Sequence, residues 1–151
     1  MRKMFYFLWI LGLLLLSACS YDGERAVKNG DVINMNGPVY NFPNFELFLD
    51  SIEANKPATV RIANYTTEGS PTLYNVTFDG SSIHLEIDRS KKNNKGNGPA
   101  RVNKTCQDLV MEDGQQVVTF KLKDCAQDSP VEDFILLTVL KEQIDEHEHA
   151  H

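Results

Sequence analysis

The chain has 151 residues, of which 42% are hydrophobic and 24% charged, with a formal net charge of −6. That length supports one domain with a single modest core, and that composition is ordinary for a soluble globular protein. An acidic surface repels polyanions at long range, which excludes nucleic-acid binding as the main role.

Residues 1–18 read as a signal peptide. Arg2 and Lys3 give the positive start, and Met4 to Leu16 form a run of thirteen apolar residues. At about 1.5 Å per residue the run reaches only about 20 Å, short of a hydrocarbon core of roughly 30 Å. It therefore suits a cleaved leader better than a spanning helix. Leu16-Ser17-Ala18-Cys19 follows directly. This stretch resembles the lipobox of bacterial lipoproteins, in which the cysteine is acylated and the chain is cut just before it. The resemblance implies a lipid anchor on Cys19 and a mature protein on the extracytoplasmic face of the cell membrane. An ordinary secretory leader with a chance cysteine, or an uncleaved anchor helix, is the plainer alternative. Losing Arg2 and Lys3 would take the net charge from −6 to −8.

Residues 19–30 are polar and aperiodic, and read as a flexible tether. The folded domain is expected over 31–144. Val32 to Phe42 carries Asn and Gly punctuation, with one irregular strand near Val39-Tyr40. Phe45, Phe48, Leu49 and Ile52 then stand at i, i+3, i+4 and i+7, one face of a helix over about 43–55. Asn41 is a candidate cap, Pro43 suits a first turn, and Lys56-Pro57 ends the helix.

Strand patterns follow. Val60 and Ile62 alternate with polar residues; Tyr74, Val76 and Phe78 alternate next, Asp79-Gly80 turns the chain, and Ile83, Leu85 and Ile87 alternate back. Aspartate-glycine between two runs of period two is a strong hairpin signal. Any loop with an even residue count puts those six apolar residues on one face. A second hairpin joins Arg101–Met111 to Val117–Cys125. Phe134 to Leu140 is an apolar run fit for a strand buried on both faces. The expected fold is α+β: one N-terminal helix packed on an antiparallel sheet of five or six strands.

With Cys19 assigned to lipid, Cys106 and Cys125 are an even pair in an oxidising compartment and read as a disulfide. Free thiols, or a catalytic dyad of Cys106 with His84, remain open alternatives. If Cys106 faces Cys125, then Leu109 faces Leu122 and Met111 faces Phe120. Both cysteines would then lie on the opposite face, clipping the sheet's outer side, and either the turn would widen to Gly114–Val117 or the hairpin would carry a bulge. Two segments look unstructured: the basic loop from Arg89 to Ala100, and residues 145–151, rich in His and Glu.

Asn29-Gly30-Asp31-Val32, Arg61-Ile62, Tyr65-Thr66 and Glu68-Gly69 occur in that order. They resemble the motifs of a family of small lipoproteins of Bacillus-type bacteria, whose shared domain has no assigned function. The likeness covers about 29–125. The chain departs from it after Asp88, where Lys91–Gly98 stands in place of a more acidic stretch. The resemblance supports the address and the fold, and it transfers no catalytic residue.

Chemistry is sparse. The serines lack a Gly-x-Ser-x-Gly setting, and His84 falls on the polar face of its strand. Glu68 with Asp79 or Asp88 could form an acid–base pair for hydrolysis of envelope glycans, and Asp31 and Glu86 add further carboxylates. Solvated surface charge is the plainer account. Tyr65, Thr66 and Glu68 form the best binding candidate, although a turn-stabilising role fits them too. His147, His149 and His151, interleaved with Glu146 and Glu148, have ligand types suited to weak transition-metal capture by the tail. The expected function is thus a non-enzymatic, membrane-anchored domain without a cofactor. Its partner would be an envelope protein, a peptide or a wall polymer.

Overall fold

The computed structural model describes residues 23–35, 37–67, 69–92, 98–126 and 132–148, with side chains through residue 144. The described elements are α1 (Gly23–Lys28), β1 (Val32–Asn34), β2 (Val39–Tyr40), α2 (Phe42–Glu53), β3 (Ala58–Tyr65), β4 (Pro71–Phe78), β5 (Ile83–Asp88), β6 (Arg101–Cys106), β7 (Asp108–Asp113), β8 (Val117–Cys125), β9 (Glu132–Leu140) and α3 (Lys141–Glu148). The molecule is mostly sheet with a few short helices. Its six-stranded sheet has the order β2-β1-β3-β4-β5-β6, and a three-stranded sheet has the order β7-β8-β9. No helix among the described residues is long and apolar enough to cross a membrane.

The expectation of one sheet and one helix therefore needs correction. The two sheets share a chain. β6 runs into β7 with only Gln107 between them, so one bent strand serves the edge of both sheets. The six-stranded sheet is also not wholly antiparallel, because β1 pairs parallel to β3 through Val32↔Ile62, Ile33↔Ala63 and Asn34↔Asn64. A strand of three residues has too little length to show a period, and the sequence pattern leaves it unmarked.

The helix of the sequence pattern is the second of the three helices among the described residues. Phe42, Phe45 and Phe48 of α2 are buried in the main core. The Phe45 ring meets Phe120 of β8 edge-on, with centroids 4.9 Å apart. The helix ends in a Schellman arrangement. Asn55 adopts φ 52°, its amide donates to the Ile52 carbonyl, and the Lys56 amide donates to Ser51. Asparagine tolerates that left-handed geometry, and Pro57 then prevents any continuation.

Both hairpin registers agree with the sequence. Phe78 pairs with Ile83, Val76 with Leu85 and Tyr74 with Ile87 across a four-residue loop. Leu109 pairs with Leu122 and Met111 with Phe120, and the loop is Gly114–Val117, closed by the Gly114 amide donating to the Val117 carbonyl. The Cys106–Cys125 disulfide is present, which removes the free-thiol alternative. Its placement differs from expectation. Both cysteines are fully buried in the main core rather than on an outer face. The bend at Gln107 and the left-handed Asp124 (φ 51°) break the alternation between the cysteines and Leu109 and Leu122. The inversion follows from those two kinks.

β9 also departs from the pattern. It is an edge strand, and Ile135 is 59% exposed. Leu136 and Leu137 are both buried because the ladder slips between Phe120 and Lys121, leaving Leu136 as the extra residue of a bulge. At the ends of the chain, two segments expected to be irregular are helical. Within 19–30, α1 places Ala26 against Ile33, Ala63, Tyr65 and Leu73 in a small second core. Within 145–151, the α3 backbone continues to Glu148.

Candidate functional site

Two family-like motifs lie about thirty residues apart in sequence and meet in space. Val32 pairs with Ile62, which brings Asn29-Gly30-Asp31 beside Arg61. Asp31 is only 3% exposed, and its Oδ1 accepts a hydrogen bond from Arg61 Nε at 2.8 Å. Gly30 takes φ 76°, and its carbonyl accepts from Asn44 Nδ2 of α2 at 2.8 Å. A side chain at Gly30 would sit in the left-handed region and press on that Asn44 amide.

These contacts frame one end of a groove of about 540 Å³ between α2 and β3. Asn44, Leu47, Phe48 and Ser51 form the helix wall, and Ala58 to Arg61 form the strand wall. β3 is paired along its whole length with β4, but β1 covers only Ile62 to Asn64. Ala58–Val60 thus has a strand neighbour on one side only among the described residues. Leu47 on the opposite wall is 63% exposed. The helix wall is mixed, with apolar Leu47 and Phe48 beside polar Asn44 and Ser51, while Glu46, Asp50 and Glu53 of α2 lie outside the groove lining. An open strand edge beside a helix, with an apolar side chain in the groove, is the geometry in which an extended peptide can add as a further strand.

The outward face of β4, β5 and β6 holds a second concavity, of about 590 Å³. Arg61, Asn75, Glu86 and Asn103 form one cross-strand row, and Thr59, Thr77, His84 and Thr105 form the next. Asn75 Nδ2 donates to Glu86 at 2.8 Å. His84 Nε2 lies 2.9 Å from Asp79 Oδ2, and its Nδ1 lies 3.4 Å from Thr105 Oγ1. Asp79 caps the hairpin turn, its Oδ1 accepting from the Ser81 and Ser82 amides. The bond to His84, followed by those from Ser82 and Ser81, holds the Asp79 carboxyl far below the usual carboxylate range. Burial would raise Asp88, but hydrogen bonds from Ser90 and the Arg101 guanidinium outweigh it, so its carboxyl also sits below its ordinary value.

The sequence-derived sites separate. Tyr65 is buried in the small core beside α1, while Thr66 is exposed after β3. Glu68 lies outside the described residues. So do Cys19, His149 and His151, whereas His147 stands on the α3 backbone. Cys106 is bound to Cys125 and faces the core, and His84 lies on the outward face, so the two form no dyad. Of the carboxylates, Asp31, Asp79, Glu86 and Asp88 each engage a specific partner within the fold. The α2–β3 groove was missed by reading motifs for chemistry. Its signal was the Asn29–Asp31 and Arg61 motifs, which become neighbours only through the parallel pairing.

A family model described as a domain of unknown function, DUF4362, matches residues 29–121. The match takes in the α2–β3 groove and all of the second concavity but Ala126, and stops short of Cys125. No curated protein matches the chain, and no solved structure matches it. The matched segment spans more than half of the chain, from the Asp31–Arg61 groove to the middle of β8, and the chain belongs to the DUF4362 family.

Proposed function

We propose that this is an exported protein, held by lipid on Cys19 at the outer face of the cell membrane, whose domain binds an extended peptide segment of another envelope protein in the α2–β3 groove. The observation that carries the reading is the half-covered β3, whose Ala58–Val60 stretch has no second strand on its groove side among the described residues. Backbone groups supply affinity in strand addition, and side-chain pockets supply selectivity. Leu47 and Phe48 suit an apolar residue of the peptide. A non-enzymatic role agrees with carboxylates committed to turns and arginines. Glycan hydrolysis by paired carboxylates needs one of them held protonated, and Asp79 and Asp88 are both shifted the other way.

Peptides selected on the mature domain from a random display library test the reading. Peptides with one apolar anchor should slow amide exchange at residues 58–60. Filling the groove with Ser51→Trp, or charging it with Leu47→Asp, should weaken them at least tenfold while leaving the unfolding midpoint within experimental scatter. Unchanged exchange at residues 58–60, or equal binding by Ser51→Trp, would refute peptide addition.

A further inference from the structure

The segment read as a tether is mostly not one, and this has a geometric consequence. α1 is seated on the outward face of the six-stranded sheet, with Ala26 at 0% exposure against Ile33, Ala63, Tyr65 and Leu73. Only Ser20, Tyr21 and Asp22 separate Cys19 from the first residue of α1. Four steps of chain span at most about 14 Å. An acylated Cys19 sits at the lipid–headgroup boundary, and a headgroup layer is roughly 5–8 Å thick on each side of a bilayer. The body therefore cannot stand far off the surface without giving up the burial of Ala26.

The face that comes down with α1 carries apolar side chains. Val27 is 49% exposed, Tyr40 49% and Met35 47%. Asn41 Nδ2 reaches the Val27 carbonyl at 3.5 Å, so the end of α1 adjoins β2. Tyr40 pairs with Ile33 and shares its face, the one on which α1 lies. Arg25 and Lys28 are exposed on the same helix. A tyrosine and aliphatic residues flanked by cations have the composition of a surface resting at headgroup level.

We infer that the α1–β2 face, bearing Val27, Met35 and Tyr40 with Arg25 and Lys28 beside them, rests on the phospholipid headgroups of the outer membrane surface. The inference builds on the lipid anchor of the proposed function. It predicts a fixed orientation: α1 down, and the outward side of the β7–β8–β9 sheet away from the lipid.

Trp9 is the only tryptophan, and it is lost with the leader, so the mature chain offers a dark background for a single reporter. Val27→Trp, Tyr40→Trp and, on the outward side of the smaller sheet, Ile135→Trp would each be made in the lipidated mature protein. Each would be placed in vesicles of phosphatidylglycerol and dibrominated phosphatidylcholine. Fluorescence at positions 27 and 40 should be quenched at least twofold relative to unbrominated vesicles, and at 135 hardly at all. Adding Arg25→Glu and Lys28→Glu should at least halve the quenching at 27. Mass spectrometry of the same samples separates the two layers of the argument. Absence of fatty acid on Cys19 removes the anchor and this seating with it. Acylated protein with 27 and 40 unquenched, or with all three positions quenched alike, overturns the seating alone.

Discussion

Asn41 shows how much one side chain can hold. It stands at the N-cap of α2 with φ 57° and ψ 31°, yet its side chain does not cap that helix. Its amide donates backwards instead, to the Asp31 carbonyl at 2.9 Å and the Val27 carbonyl at 3.5 Å. One residue thus ties α1, the Asp31 turn and the start of α2 together. Asn41→Ala loses those bonds and strains the left-handed backbone, so it should cost roughly 1–3 kcal/mol in urea unfolding. Asn41→Gly should cost less, because the backbone strain is relieved. Asp79 offers a test in pH. Its folded pKa is depressed mainly by His84 and then by the turn amides, so its contribution is present above the ordinary carboxylate value. It is lost as pH falls below about 4 toward the folded pKa. The difference in urea midpoint between the wild type and Asp79→Asn should therefore be full near pH 6 and shrink steadily towards pH 2. A difference that stays constant with pH would mean that the turn, and not the ionised carboxylate, is what matters.

At the scale of elements, local patterns were readable and distant ones were not. The α2 face is written in the spacing of Phe45, Phe48, Leu49 and Ile52, and the structure gives Phe42–Glu53 for a helix expected over 43–55. The hairpin registers followed from period-two alternation plus one covalent constraint. The inward turn of the cysteines was hidden, because it depends on a kink at Gln107 and a left-handed Asp124 that no periodicity announces. β1 was hidden for another reason: its partner lies about thirty residues away and it has only three residues of its own. The candidate groove depends on that pairing, so only its pieces were visible as short motifs. Two stability predictions belong here. Phe45→Ala empties a fully buried site between Phe42, Phe48 and Phe120 and should cost about 3–5 kcal/mol. Reducing the Cys106–Cys125 bridge, which closes a sequence separation of 19, should lower stability by about 3 kcal/mol. Because both sulfurs are buried, reduction should need prior unfolding. Thiol trapping in increasing urea would show labelling that tracks the unfolding curve.

Across the whole molecule, two sheets meet along the bent β6–β7 strand, and the disulfide joins them beside the bend. On the far side the gap between the sheets is bridged by α3. The Val39 amide of β2 donates to Gln143 Oε1 at 3.1 Å, and Gln143 Nε2 donates back to the Val39 carbonyl at 3.5 Å. One carboxamide side chain thus occupies both backbone groups of a residue 104 positions away in the chain. It acts as a latch between the first edge strand and the end of the chain. Shortening the protein after Ile144 should leave that latch fastened and the Val39 amide slow to exchange. Cutting before Lys141 should release it, and the Val39 amide should then exchange faster, so the last turns of the chain decide how firmly its first edge strand is held.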